Sequence, residues 1–213
     1  MSTQRLQVTA HLASPLVTSG AGFMTLDGLL AALIFDTTGS IERAHAEVPI
    51  VCTDGLYHAS GAVLEPTDTG RICFVAQLRP AHGIDPELIL KNKHGQLHRK
   101  FDTSLTNVMN TYPVITAPVV TWYCEGDGEQ IEALLRPVTF IGKRRASGFG
   151  CVSRWEVEPG ELDGLTGYAD EPLRPVPVDR FTGDRSAVIE DAAWRPAYWD
   201  ARNRAACFVP GRG

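Results

Sequence analysis

Asp127-Gly128-Glu129-Gln130-Ile131-Glu132-Ala133-Leu134-Leu135-Arg136-Pro137, followed at once by a loop from Phe140 to Gly150 and an apolar run from Cys151 to Val157, decides the fold. Asp127 or Gly128 opens a helix that places Ile131, Leu134 and Leu135 on one side, and Arg136-Pro137 stops it. The loop reads Phe140-Ile141-Gly142-Lys143-Arg144-Arg145-Ala146-Ser147-Gly148-Phe149-Gly150, three consecutive cations enclosed by three glycines. From Arg136 to Arg154 there are five Lys/Arg and no Asp/Glu, in a chain of formal net charge -5. Glycine lets a backbone turn tightly and approach a ligand, and arginine's fork fits phosphate. The positive charge is concentrated here, so a nucleic-acid backbone is the leading candidate partner.

Upstream, Val114 to Cys124 is strongly β-branched and predicts a strand. At the start of the chain Arg5 to Leu12 alternates polar and apolar residues, a strand with one buried face. Ser14-Pro15 ends it, and Gly20 and Gly22 mark a loop. Thr25 or Asp27 then caps a helix through Leu26, Leu29, Leu30, Leu33 and Ile34. Residues 37–55 are weakly patterned and predict an excursion. Leu56 to Leu64 and Gly70 to Ala76 read as two strands joined by a turn at Glu65-Pro66-Thr67-Asp68. Residues 79–113 break the regularity and predict a protruding hairpin or loop. The order is that of an α+β, ferredoxin-like (RRM-like) β-α-β-β-α-β core with an inserted hairpin or loop. Its antiparallel sheet would carry two helices on one face and leave the other free. Residues 1–158 make this core, with the inserted finger at about 79–113. Residues 159–213, proline-rich and containing Trp194 and Trp199, form a C-terminal extension. It reads as an extended tail ending in a short aromatic-anchored helix, laid on the core or on a partner subunit.

A chain of 213 residues, 44% hydrophobic and 21% charged, can bury one good core. No apolar run approaches a membrane span, and the N-terminus lacks the apolar region of a signal peptide. The five cysteines are scattered without a CxxC, which predicts reduced, mostly buried thiols in a cytoplasm. A pI near 5.7 argues against a free-standing, non-specific nucleic-acid binder. It suits a subunit that holds one defined nucleic-acid segment and meets other proteins elsewhere. No cofactor is expected.

Each motif has a plainer alternative. The glycine-rich loop could be a close-packed turn with solvated cations; three adjacent cations, no nearby acid and Phe149 between two glycines speak for a binding loop. It is neither a P-loop nor a dinucleotide fingerprint, because no helix follows it. Ser147 to Arg154 partly matches the central-strand octamer of RNA-recognition domains, through Gly148, Phe149, Gly150 and Val152. Cys151 and Arg154 replace two expected aromatics, so contact through the loop is the better reading. Lys91, Lys93, His94, His98, Arg99 and Lys100 form a window without an acid, either a solvated face or a second RNA contact on a flexible finger. His94 and His98 lack a Cys or carboxylate partner for a metal, so none is expected. His11, His45, Tyr57 and His58 are candidates for acid–base work in a metal-independent ribonuclease, or ordinary half-buried residues. Trp194, Tyr198 and Trp199 read as docking anchors rather than base-stacking platforms, because aromatics with a polar tip are common at packed interfaces.

Ser14-Pro15-Leu16, a glycine turn and Leu26-Asp27-Gly28-Leu29-Leu30-Ala31 resemble the start of CRISPR-associated RAMP-superfamily subunits. The loop Ile141 to Gly150 resembles their glycine-rich loop. Length, the single RRM-like unit and the tail are most similar to the small handle-binding subunit of type IV CRISPR effector complexes, over roughly residues 5–158. That resemblance implies a subunit that clasps the 5′ handle of the guide RNA and caps the backbone of the complex. It would meet the backbone and large subunits, and target nucleic acid only indirectly, with no membrane partner. Gly142, Lys143, Arg144, Arg145, Ser147, Gly148, Phe149 and Gly150 match the motif and carry the expectation of RNA contact, with Lys91, Lys93, Arg99 and Lys100 added by the finger. No catalytic trio is evident, so a non-catalytic binder is expected; the alternative is an endoribonuclease that matures guide-RNA precursor.

Overall fold

The structure, a computed structural model, describes residues 3–18, 23–76 and 108–211. Strand β1 (Gln4–Leu12) alternates as its sequence predicts, burying Leu6, Val8 and Ala10. A short β2 (Leu16–Val17) follows. Helix α1 (Leu26–Thr38) is capped by Thr25, whose hydroxyl accepts the Gly28 N–H at 3.3 Å, and it ends at Gly39 in the left-handed region. It buries Leu26, Leu30, Ala31 and Ile34. The stretch expected to be an excursion contains a second helix, α2 (Ile41–Ala46), capped by Ser40. Six residues are too few to show a helical period, which is why the pattern concealed it.

The strand pair expected over 56–76 is rearranged. β3 (Cys52–Thr53) and β4 (Leu56–Tyr57) make a small hairpin around Asp54-Gly55, both at positive φ. β5 (Val63–Leu64) leaves that hairpin for a different partner. β6 (Asp68–Ala76) pairs with β7 (Val108–Thr116), from Asp68 opposite Thr116 to Ala76 opposite Val108. Residues 108–113, assigned from sequence to the inserted finger, are therefore strand. Lys91, Lys93, Arg99 and Lys100 lie outside the described residues. The single strand expected over 114–124 is divided between β7 and β8 (Val119–Gly126), with Ala117-Pro118 between them. Proline has no N–H for a ladder, and the two halves serve different sheets.

Helix α3 (Gly128–Leu135) is capped by Asp127, which accepts the Gln130 N–H at 3.1 Å. β9 (Val152–Pro159) completes a sheet of order β5-β8-β1-β9, each neighbour antiparallel. Leu26, Leu30, Ile131 and Leu135 share one core with Leu6, Val8 and Trp122. Trp122 has no exposed surface; its indole donates to the Met24 carbonyl at 2.8 Å and stacks on Trp155 at 5.9 Å. The architecture is mixed α+β, mostly antiparallel, with few helices among the described residues, and is compatible with a ferredoxin-like core.

The C-terminal extension departs from expectation. In place of a tail with a short helix, β10 (Val176–Pro177), β11 (Ile189–Ala193) and β12 (Arg204–Phe208) form a sheet of order β10-β12-β11. Among the described residues only a 3-10 turn, Ala201–Asn203, is helical there. Phe181, Trp194, Phe208 and Val209 pack with Leu56 into a second cluster. Ile-Glu-Asp-Ala-Ala and Arg-Ala-Ala-Cys-Phe have little intrinsic strand signal; cross-strand pairing and burial override propensity. No helix among the described residues is long and apolar enough to cross a membrane.

Candidate nucleic-acid interface

The glycine-rich loop is tied down on both sides. The Ile141 N–H donates to the Gly150 carbonyl at 2.9 Å, closing its base. Beneath it lies Ser14-Pro15-Leu16. The Gly150 N–H donates to the Pro15 carbonyl at 2.8 Å, and the Ser14 hydroxyl to the Gly148 carbonyl at 2.8 Å. The Lys143 N–H donates to the Val17 carbonyl at 2.8 Å. The two sequence motifs, distant along the chain, thus form one structure. A Cβ on Gly150 would stand 2.0 Å from the Ile141 carbonyl oxygen, and one on Gly142 2.6 Å from Leu16 Cδ1, both at positive φ. Close packing accounts for those two glycines. It does not account for Gly148, which open space surrounds and whose φ of 85 is what favours glycine.

None of the three cations is buried. Lys143 and Arg145 are exposed and Arg144 is half-buried. Arg144, itself at φ 60, lays its guanidinium 4.4 Å from the Phe74 ring centroid and 4.7 Å from that of Tyr112. Its Nη2 donates to the Tyr112 hydroxyl at 2.8 Å. Lys143 Nζ lies 5.8 Å from the Tyr112 ring, and Phe149 meets Phe74 edge-on at 6.1 Å. None of the ion pairs among the described residues includes Lys143, Arg144 or Arg145. A cluster of three cations with an aromatic backing, uncompensated among the described residues, can bind a phosphate chain. Phe74 and Tyr112 escaped the sequence reading, because nothing in one strand reveals which residue of another faces it.

The helix-free face of the four-stranded sheet has the opposite character. Register places Gln7, Thr9 and His11 beside Glu158, Glu156 and Arg154. His11 Nε2 is 2.6 Å from Glu156, and Arg154 is 2.7 Å from the same carboxylate. The His11 hydrogen bond, helped by Arg154, holds Glu156 below the usual carboxylate range. His58 lies 3.1 Å from the Thr53 hydroxyl and 3.4 Å from Glu125. Carboxylates here repel phosphate, so the loop and the β6–β7 ladder are the better interface. The Tyr57 hydroxyl donates to the His45 backbone carbonyl. Among the described residues no bond joins the side chains of His11, His45, Tyr57 and His58 to one another, and no group of three or more His, Cys, Asp and Glu could hold a metal. Of the aromatic anchors, Trp194 and Tyr198 pack inside the molecule, while Trp199 is 81% exposed.

No curated protein matches the chain. A chain in the cryo-EM structure of Type III-B Cmr-beta bound to cognate target RNA is similar at a TM-score of 0.41 and 9% identity, over 74% of this chain and 61% of that one. This chain therefore spans less than two thirds of that neighbour, and so remote a likeness fixes neither fold nor activity. Residues 84–210, more than half of the chain and including the whole of the cationic loop, match the family described as "CRISPR type IV associated protein Csf3", and the chain belongs to that family.

Proposed function

We propose that this chain is a non-catalytic RNA-binding subunit of a type IV CRISPR effector ribonucleoprotein in the cytoplasm, holding the 5′ handle of the guide RNA. The single observation that carries the reading is the solvent-accessible loop cluster of Lys143, Arg144 and Arg145, unpaired by any carboxylate among the described residues. Gly142, Gly148 and Gly150 give the loop its path, and Ser147 and Phe149 lie on the same segment. Lys91, Lys93, Arg99 and Lys100 would extend the contact along the same strand. The sheet order and the two helices packed on one face support a ferredoxin-like core that presents this loop at its margin. The acidic remainder of the surface suits contact with backbone and large subunits, and target nucleic acid is reached only through the guide.

The test measures binding of guide RNA, with and without its 5′ handle, across a salt series. Arg144→Ala with Arg145→Ala should weaken binding and lower the slope of log K against log salt by about 0.7 per lost contact on a single strand. Unchanged affinity and slope would remove the loop from the RNA site. Incubation of repeat RNA with the wild-type chain and EDTA should leave it intact. A single defined cut would instead favour the endoribonuclease.

A further inference from the structure

We infer that Tyr112, backed by Phe74, is a positioning residue that holds the Arg144 guanidinium as a preformed fork for one phosphodiester; this rests on the RNA-binding reading above. Arginine ordinarily loses much rotamer freedom when it grips an anion. Here that loss is already met by folding. Phe74 and Tyr112, at 4.4 and 4.7 Å from the guanidinium carbon, fix where its plane lies. The Tyr112 hydroxyl at 2.8 Å from Nη2 fixes its rotation. Among the described residues nothing accepts from Nε or Nη1, so donors remain for two phosphate oxygens.

The placement depends on the ladder. Ile72 lies opposite Tyr112 and Phe74 opposite Asn110, so the two rings occupy diagonal positions on one face, 6.1 Å apart. Residues between them, Cys73 and Thr111, turn to the other face. Phe149 closes edge-on against Phe74 from the loop side. Lys143 and Arg145 are exposed and, among the described residues, have no such hydroxyl partner, so they act as mobile charges around one fixed fork. Ordering a side chain before binding raises affinity without adding a contact.

The experiment uses the full chain and a fluorescent single-stranded RNA carrying the handle, read by anisotropy over a salt series, with thermal melts of every variant. Tyr112→Phe keeps the ring and removes the hydroxyl. Arg144→Lys keeps the charge and removes the fork. Each should weaken binding roughly threefold to tenfold while leaving the salt slope unchanged, because no charge is lost. Tyr112→Phe should have little further effect when Arg144 is already Lys, since the two act as one unit. A merely structural tyrosine would lower the melting temperature and weaken both backgrounds equally, and that result overturns the inference. So does wild-type affinity in Tyr112→Phe. If the wild-type chain shows no salt-dependent binding, or Arg144→Ala with Arg145→Ala changes nothing, the RNA reading itself fails and the inference falls with it.

Discussion

Arg174 Nη1 lies 3.2 Å from Asp27 Oδ1, and neither side chain has any solvent exposure, although 147 residues separate them in sequence. The same guanidinium donates to the carbonyls of Tyr57 at 2.7 Å, Ala59 at 3.0 Å and Trp194 at 2.8 Å, and to the Tyr198 hydroxyl. Tyr198 in turn donates to Asp27 Oδ2. One buried cation thus joins the first turn of α1, the β4 region and the C-terminal sheet. A buried ion pair need not stabilise a fold relative to a well-packed apolar core, but removing one partner leaves the other charge stranded.

Arg174→Met should therefore destabilise the chain by about 3–5 kcal/mol, in urea unfolding followed by tryptophan fluorescence. Asp27→Asn is expected to lose less. The carbonyls and Tyr198 still surround the guanidinium there, whereas Arg174→Met takes a donor from three buried carbonyls and leaves the Asp27 charge without its cation. Equal losses in the two variants would mean that the charge pair, not the carbonyl contacts, dominates.

The two glycines at the loop's end should respond differently to substitution. Gly148→Ala meets open space and bears only the left-handed strain, about 1 kcal/mol. Gly150→Ala also drives a methyl into the Ile141 carbonyl, and overpacking adds about 1–3 kcal/mol. Calorimetric melting of both variants decides it. A Gly150→Ala protein as stable as Gly148→Ala would show that the loop base opens at no cost.

Thiol reactivity should divide by burial. Burial pushes Cys124 up to about 12 and, helped by the nearby Asp191, Cys207 up to about 11, so neither forms thiolate near neutral pH. Cys52 and Cys73 are exposed. Iodoacetamide at mildly alkaline pH, followed by peptide mass mapping, should label Cys52 and Cys73 in the native chain, and Cys124 and Cys207 only in denaturant. Native labelling of Cys124 would contradict its burial beside β1.

Acid should weaken the turn at Ala201–Asn203. Hydrogen bonds from the Arg202 side chain, then from its backbone N–H, hold Asp200 down to about 2. A carboxylate depressed by folding contributes fully above its unfolded value, near 3.9, and loses that contribution as pH falls towards its folded value. The stability gap between wild type and Asp200→Asn should be present at pH 5, narrow towards pH 2 and shrink in high salt, the Arg202 side of the pair being exposed. Circular dichroism over an acid series reads this; a gap constant with pH would remove Asp200 from the balance.

Local chemistry made part of this molecule legible in advance. Thr25 and Asp127 cap their helices as their side chains predict, and Arg136-Pro137 ends the second of those helices. The alternation of Arg5 to Leu12 told which face is buried. The partners of strands were less accessible. Pro118 hides a change of sheet inside an apparently continuous β-branched run, and the turn at residues 65–68 joins no pair of adjacent strands.

At the candidate site the division is similar. The chain's own order of residues put three cations, three glycines and no acid in one bend, and placed Ser14-Pro15 where a loop was needed. Only the folded structure set Phe74 and Tyr112 around Arg144, stacked Trp122 on Trp155, and enclosed Arg174 beside Asp27. Caps, turns and charge clusters act over a few residues and are written locally. Ladder register and buried polar contacts are chosen by packing and hydrogen-bond satisfaction between distant segments, and a one-residue slip would turn every one of those side chains away.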